Sequence, residues 1–425
     1  MNSINPNEVH NVIGKHVLID PSSLVVDTEN SKGSWLCDAR NGRLYLDCFS
    51  QFASQPIGWN HPKLLANKDR LMKAALHKIA NPDILSVEYA EFVKRFAAIT
   101  PDFKHHFFID GGALAVENAL KSAFDWKLQK LGWNDQSPGE ENKANDLDVI
   151  HLAEAFHGRS GYTLSLTNRP WDTTKTKWFP KFHWTRVPNP KMHGGDCFLN
   201  VEAESLKQIE TALQKGNVAA LILEPIQGEG GDNHFSGLFL NSLRELTLKY
   251  DCMLIFDEVQ TGMGMTGKMW AYEHFHTVPD MICFGKKAQV CGFCSTGRID
   301  DVPTNVFHVQ SRINSTWGGN FTDMVRSTIF MEIMEEDKLV ENADEVGCYF
   351  LSKLLDMELK NARGRGLMIA FDLETTEKRN EVLKKLEESM LVLPCGQKSI
   401  RIRPHLTFTK NDTDRAVDFI KNAIC

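Results

Sequence analysis

The sequence predicts an α/β fold, one large domain built on a mostly parallel sheet and joined to a smaller α+β lobe. Between about Phe107 and Ile299, short apolar runs alternate with amphipathic stretches, the order that lays helices over parallel strands. Each run ends in a glycine, a carboxylate, a histidine or a lysine, and open α/β sheets gather their ligands at the carboxyl ends of strands. The 425 residues also exceed what a single hydrophobic core organises, roughly 250–300 residues.

Taken in order, the elements begin with a hairpin signal, residues 35–39 and 43–47 about Asn41-Gly42, because Asn-Gly readily supplies the positive φ of a tight turn. Candidate strands follow at 106–109, 149–152, 219–223, 253–256 and 281–284. Between the first two, Val116, Ala119, Leu120 and Ala123 recur at helical spacing within 113–131, and Gly132 closes the helix. Residues 134–145 read as a polar loop. Past Asn320 the pattern lengthens into helices over about 324–335 and 340–359, then gives strands at 366–372 and 399–403 and two further helices. The expected division is 1–60 as the N-terminal part of the small lobe, 61–320 as the large domain and 321–425 as the C-terminal α+β lobe.

Composition excludes several classes of function. The net charge of −7 is interspersed, with no basic stripe for nucleic acid. The longest apolar runs fall far short of the roughly 20 residues that span a bilayer. The first residues lack a basic and then apolar signal pattern, so a cytoplasmic location is expected. Ten cysteines without paired spacing read as reduced thiols, and Cys291 and Cys294, though spaced CxxC, lie inside a strand-like run. His105-His106 and His274-Phe-His276 have no carboxylate or cysteine set at ligand spacing nearby, so no metal is expected.

Asp110-Gly111-Gly112-Ala113 follows a strand and opens a helix, a place where free N–H groups and the helix dipole favour a phosphate. It is not GxGxxG, which speaks against a nicotinamide enzyme. Gly262 to Lys268 fits GxxxxGK, but Met269 stands where a Ser or Thr would ligate magnesium, so a P-loop is rejected. Asp257 and the Lys286-Lys287 pair end two successive strands. Alone they would be a salt bridge or a solvated turn; beside a phosphate turn they suit pyridoxal phosphate, where a lysine forms a Schiff base and an aspartate keeps the pyridine nitrogen protonated.

On these residues the chain resembles the class III pyridoxal phosphate-dependent aminotransferases of fold type I, from Gly42-Arg-Leu-Tyr-Leu-Asp47 to Arg401-Ile-Arg-Pro404. Phe156-His-Gly-Arg-Ser-Gly-Tyr162, the run Phe284 to Gly292 and Asn314-Ser-Thr-Trp-Gly-Gly-Asn320 look most like the branch acting on the ε-amine of lysine. The resemblance implies Lys286 as the Schiff-base lysine, 29 residues after Asp257 (286 − 257), with Lys287 as the rival. It further implies Asp257 on the pyridine nitrogen, Val259 under the ring, Gln260 on the ring hydroxyl and Phe156 on the opposite face. Gly112 and Ala113 would hold the phosphate by backbone N–H, and Thr316 would come from a second subunit, making a homodimer. Arg401 resembles the arginine that binds the 2-oxoglutarate α-carboxylate, Glu229 its switchable ion-pair partner, and Arg159 the group for the lysine α-carboxylate. The implied reaction transfers the lysine ε-amine to 2-oxoglutarate, giving 2-aminoadipate 6-semialdehyde and glutamate; ornithine or GABA as donor is the alternative. Met265, where many relatives have Arg, departs from the family pattern.

Overall fold

The computed structural model describes residues 4–20, 23–134, 137, 143–193, 195 and 198–424. Most of the polar loop expected at 134–145 lies outside them, as do the first three residues, read above for a targeting signal.

Among the described residues the central sheet has seven strands. Their order is His105–Ile109, Cys291–Ser295, Met281–Phe284, Met253–Asp257, Val218–Leu223, Asp148–Leu152 and Arg186–Val187. Cys291–Ser295 runs antiparallel to both neighbours and the other registers are parallel, so six strands share one direction. The five expected strands are present to within a residue; the reversed strand and the short edge strand Arg186–Val187 are additions.

Burial on both faces explains the composition of these strands, since a covered parallel sheet needs apolar side chains on every position. Leu221, Leu223, Leu254, Phe256, Ile282 and Phe284 point into one core, and Ala220, Ile222, Met253, Ile255, Met281 and Cys283 into the other, the two-residue alternation of a pleated strand. The helix Gly112–Lys130 covers the second face through Val116, Ala119, Leu120 and Ala123. The helices Val87–Ala98 and Gly237–Lys249 bring Phe92, Phe96, Phe239 and Leu243 to the first.

Both ends of the chain meet in the remaining sheets. Val26–Lys32, Trp35–Asp38 and Leu44–Asp47 form a meander whose fourth strand is Met390–Leu391, parallel to Leu44–Asp47. A second antiparallel sheet, ordered Arg363–Arg365, Met368–Asp372, Ser399–Ile402 and Leu393–Cys395, carries Arg401. The strand expected at 366–372 starts two residues later because Gly366, at φ 52°, turns the chain back on itself. The long helices Phe321–Glu336 and Leu339–Asp356 are separated by Asp337 and the left-handed residue Lys338. No helix among the described residues is long and apolar enough to cross a membrane.

Candidate active site

The carboxyl ends of the central strands surround a cavity of about 610 Å³. After His105–Ile109, Gly111 takes φ 102° and the helix starts at Gly112, so the first N–H groups of Gly112 and Ala113 have no carbonyl inside the helix to bond. A Cβ on Gly112 would stand 3.1 Å from Val259 Cγ1, which keeps this turn tight against the segment after Asp257.

Asp257 ends its strand buried. Its Oδ2 lies 2.8 Å from His157 Nδ1 and its Oδ1 accepts the Val259 N–H at 3.1 Å. His157 comes from the segment after Asp148–Leu152, and its buried Nε2 has no partner among the described residues. Glu224, at the end of Val218–Leu223, accepts from the N–H of Phe156 at 3.0 Å and of Gly228 at 2.9 Å. Burial pushes its carboxyl up to about 7, against the pull of His157. Gln260 gives its amide oxygen to Arg403 Nε at 3.2 Å, which leaves the amide N–H groups to donate.

The two neighbouring lysines part company. Lys286, at φ 49°, lines the cavity, and its amine is brought down to about 8, first by burial and then by the positive charge of Arg401, with Asp257 opposing. Lys287 is buried and donates to the Ala53 carbonyl at 2.9 Å, outside the cavity lining. Burial and the Arg403 charge push its amine well below the usual lysine range. It helps to hold a turn in which Ser50, Gln51, Phe52 and Ala53 are all left-handed, and Gln289 holds the next carbonyl, that of Ser54, at 2.8 Å. Four such residues without a glycine gave no signal in the sequence.

Glu229 and Arg401 are not among the residues lining the cavity, although the Arg401 charge reaches Lys286; Glu229 Oε2 accepts from Arg401 Nη2 at 2.7 Å, and its Oε1 accepts from Lys175 at 2.9 Å and lies 3.1 Å from Arg169. Burial opposes ionisation of Glu229, yet Arg401, Lys175 and Arg169 hold its carboxyl down to about 2. Lys175 Nζ stands 5.9 Å over the Phe156 ring, which lines the cavity together with Val259, Gln260 and the exposed Arg159. Thr316 is exposed and lies outside the lining of this cavity.

Residues 19–424 match the family described as aminotransferase class-III. The chain is a class III aminotransferase. It is 45% identical to the L-lysine-epsilon aminotransferase of Streptomyces clavuligerus, over 99% of this chain and 95% of that one. The 4-aminobutyrate aminotransferase of Saccharomyces cerevisiae is 32% identical, over 95% and 91%. Among solved structures, the lysine aminotransferase from M. tuberculosis superposes with a TM-score of 0.93 at 44% identity, covering 99% of each chain. This aminotransferase therefore has the type I fold of pyridoxal phosphate-dependent enzymes, and its cofactor is pyridoxal 5′-phosphate. The residues present suit that group: unpaired N–H groups at a helix start for a phosphate, a buried carboxylate for a protonated ring nitrogen, and a cavity lysine with a lowered pKa for an aldehyde.

The sequence alone gives no role to His157, Glu224, Arg169 or Lys175. Glu224 did leave a trace, as a carboxylate closing an apolar run. The structure also brings a carboxylate to His105, which the sequence spacing did not foresee. Asp300 Oδ1 lies 2.9 Å from His105 Nε2 and 3.4 Å from His308 Nε2. Lys104 Nζ stands 2.8 Å from the same carboxylate and neutralises it, at the end of the strand remote from the cavity.

Proposed function

We propose that this aminotransferase moves the ε-amine of L-lysine to 2-oxoglutarate, giving 2-aminoadipate 6-semialdehyde and glutamate, and works as a cytoplasmic homodimer. The observation that carries the reading is the Glu229–Arg401 pair beside Lys286. The lysine carbon that reacts has no carboxylate on it, whereas the reacting carbon of 2-oxoglutarate does. One site serving both needs a cation that is masked for the first substrate and shown to the second. The relatives at 45% identity bear the lysine-epsilon aminotransferase name, which favours lysine as donor. Arg159, exposed on the cavity wall, would take the lysine α-carboxylate, for which a guanidinium fork is better suited than an ammonium.

Pyridoxal phosphate supplies an aldehyde that takes up the amino group and a ring that draws electron density from the reacting carbon. The chain does the rest. Lys286 Nζ removes the proton from the substrate carbon, a task for which a lysine lowered to about 8 has enough neutral amine. Asp257, oriented by His157, would hold the ring nitrogen's proton. Phe156 and Val259 would enclose the ring, Gln260 would donate to its hydroxyl oxygen, and Gly112 and Ala113 would hold the phosphate with Thr316 of a second copy. Initial rates with lysine, ornithine and 4-aminobutyrate, each with 2-oxoglutarate, test the reading. Lysine should be fastest; faster turnover of either other amine overturns it.

A further inference from the structure

Glu229 is more than half of a two-residue pair. One carboxylate is shared by three cations from two parts of the chain: Arg401 on the strand Ser399–Ile402, and Arg169 and Lys175 on the segment following the helix Gly161–Leu166. Cations that share a single negative charge repel one another, so each loosens the hold of the others. Two donors are also unmet. The buried Nε of Arg169 and the buried Nε of Arg401 have no acceptor among the described residues.

A guanidinium presents Nε and an Nη as a parallel fork that matches the two oxygens of a carboxylate. An incoming carboxylate that takes Nε and Nη2 of Arg401 must displace Glu229 Oε2. Set free from Arg401, the Glu229 side chain, 15% exposed, would be a poorly solvated charge unless something else holds it. Lys175 and Arg169 already hold Oε1, Arg169 through Nη1, while its Nε on the other edge of the guanidinium has no acceptor among the described residues; a turn of that group would offer Nε and Nη2 to the freed carboxylate. Arg169 is itself steadied, with Asp172 at 3.4 Å and the Trp171 ring at 5.9 Å.

We propose that Arg169 and Lys175 form the dock that receives Glu229 when Arg401 turns to a substrate carboxylate, and that this dock sets the affinity for the dicarboxylate substrate. The inference rests on the reading of Arg401 given under Proposed function. Without the dock Glu229 has nowhere else to go, stays on Arg401 and competes harder with the substrate.

Glutarate, a dicarboxylate with neither amine nor keto group, tests this by calorimetric titration of the holoenzyme in a double-mutant cycle. Lys175→Met should weaken glutarate about tenfold where Glu229 is present, and by less than about twofold in the Glu229→Gln background, since the dock acts only through Glu229. Arg169→Gln should show the same dependence on Glu229. A loss that persists in the Glu229→Gln background means direct attraction of the ligand by the loop cations and overturns the dock. So does an unchanged affinity in Lys175→Met. Arg401→Gln separates the two levels. If it binds glutarate as well as the wild type, or if the wild type does not bind it, the reading of Arg401 fails. If Arg401→Gln loses glutarate while Lys175→Met keeps it, the dock alone fails.

Discussion

Arg401 and Arg403 stand two residues apart at the end of one strand, and each meets a carboxylate from the same short stretch, Glu229 and Asp232. Every nitrogen of Arg403 is engaged. Its Nε donates to Gln260 at 3.2 Å, its Nη1 to the carbonyls of Ile369 at 3.2 Å and Ile402 at 2.9 Å, and its Nη2 to Asp232. Arg401 bonds Glu229 through Nη2 and leaves a buried Nε unmet, while Glu229 leans on two other cations. The difference separates a pair that locks the C-terminal sheet to the cavity from a pair arranged to open. A saturated guanidinium can leave only by breaking several buried bonds at once; one with a spare donor and a partner held elsewhere can change ligands.

Three substitutions press on that contrast, beginning with the lysine whose amine the charges of both arginines depress. Lys286→Ala should lower kcat by about 10⁴-fold with the fold intact, as expected when the group that moves the proton is removed. Circular dichroism together with steady-state rates checks it, and turnover near wild type would move the chemistry to another residue. Arg401→Gln should lower kcat/KM for 2-oxoglutarate by about 10²-fold with little change in Tm, because it removes a ligand contact and breaks only the bond to Glu229, which Lys175 and Arg169 still hold. Arg403→Gln should do the reverse, costing about 3–5 kcal/mol in chemical denaturation by stranding a buried Asp232. Equal stability losses in the two variants would erase the distinction.

A smaller effect sharpens it through pH. Lys286 works as the neutral amine and its pKa is depressed to about 8, so at saturating lysine the single-turnover rate of the proton-transfer step should fall as pH drops below that value. The Arg401 charge is the largest electrostatic contribution to the depression after burial, ahead of Arg403. Arg401→Gln should therefore move the rising limb to higher pH.

How much of this was legible in the sequence follows from where the information lies. The Gly111-Gly112 turn, Asp257 and the Lys286-Lys287 pair could be read because apolar strands lead into them, and chain direction alone brings strand ends to one edge of a parallel sheet; Gln260, and the choice of Lys286 over Lys287, were legible only through the family resemblance. The reversal of Cys291–Ser295 could not be read, since a buried strand has the same composition in either direction. Partnerships made across the fold carry no spacing signal. His157 reaches Asp257 from 100 residues away, and Asp300 reaches His105 from 195. The lock on Arg403 and the cations around Glu229 exist only once the C-terminal sheet has packed against the central domain, so a sequence showing arginines two apart says nothing of which is saturated.

The central claim, that the site is assembled around Lys286 while its neighbour is structural, is tested most directly by sodium borohydride reduction of the holoenzyme followed by fragment-level peptide mapping. The cofactor-derived mass should be found on Lys286, which lines the cavity. The same mass on Lys287, whose amine is held by the Ala53 carbonyl, would contradict the account.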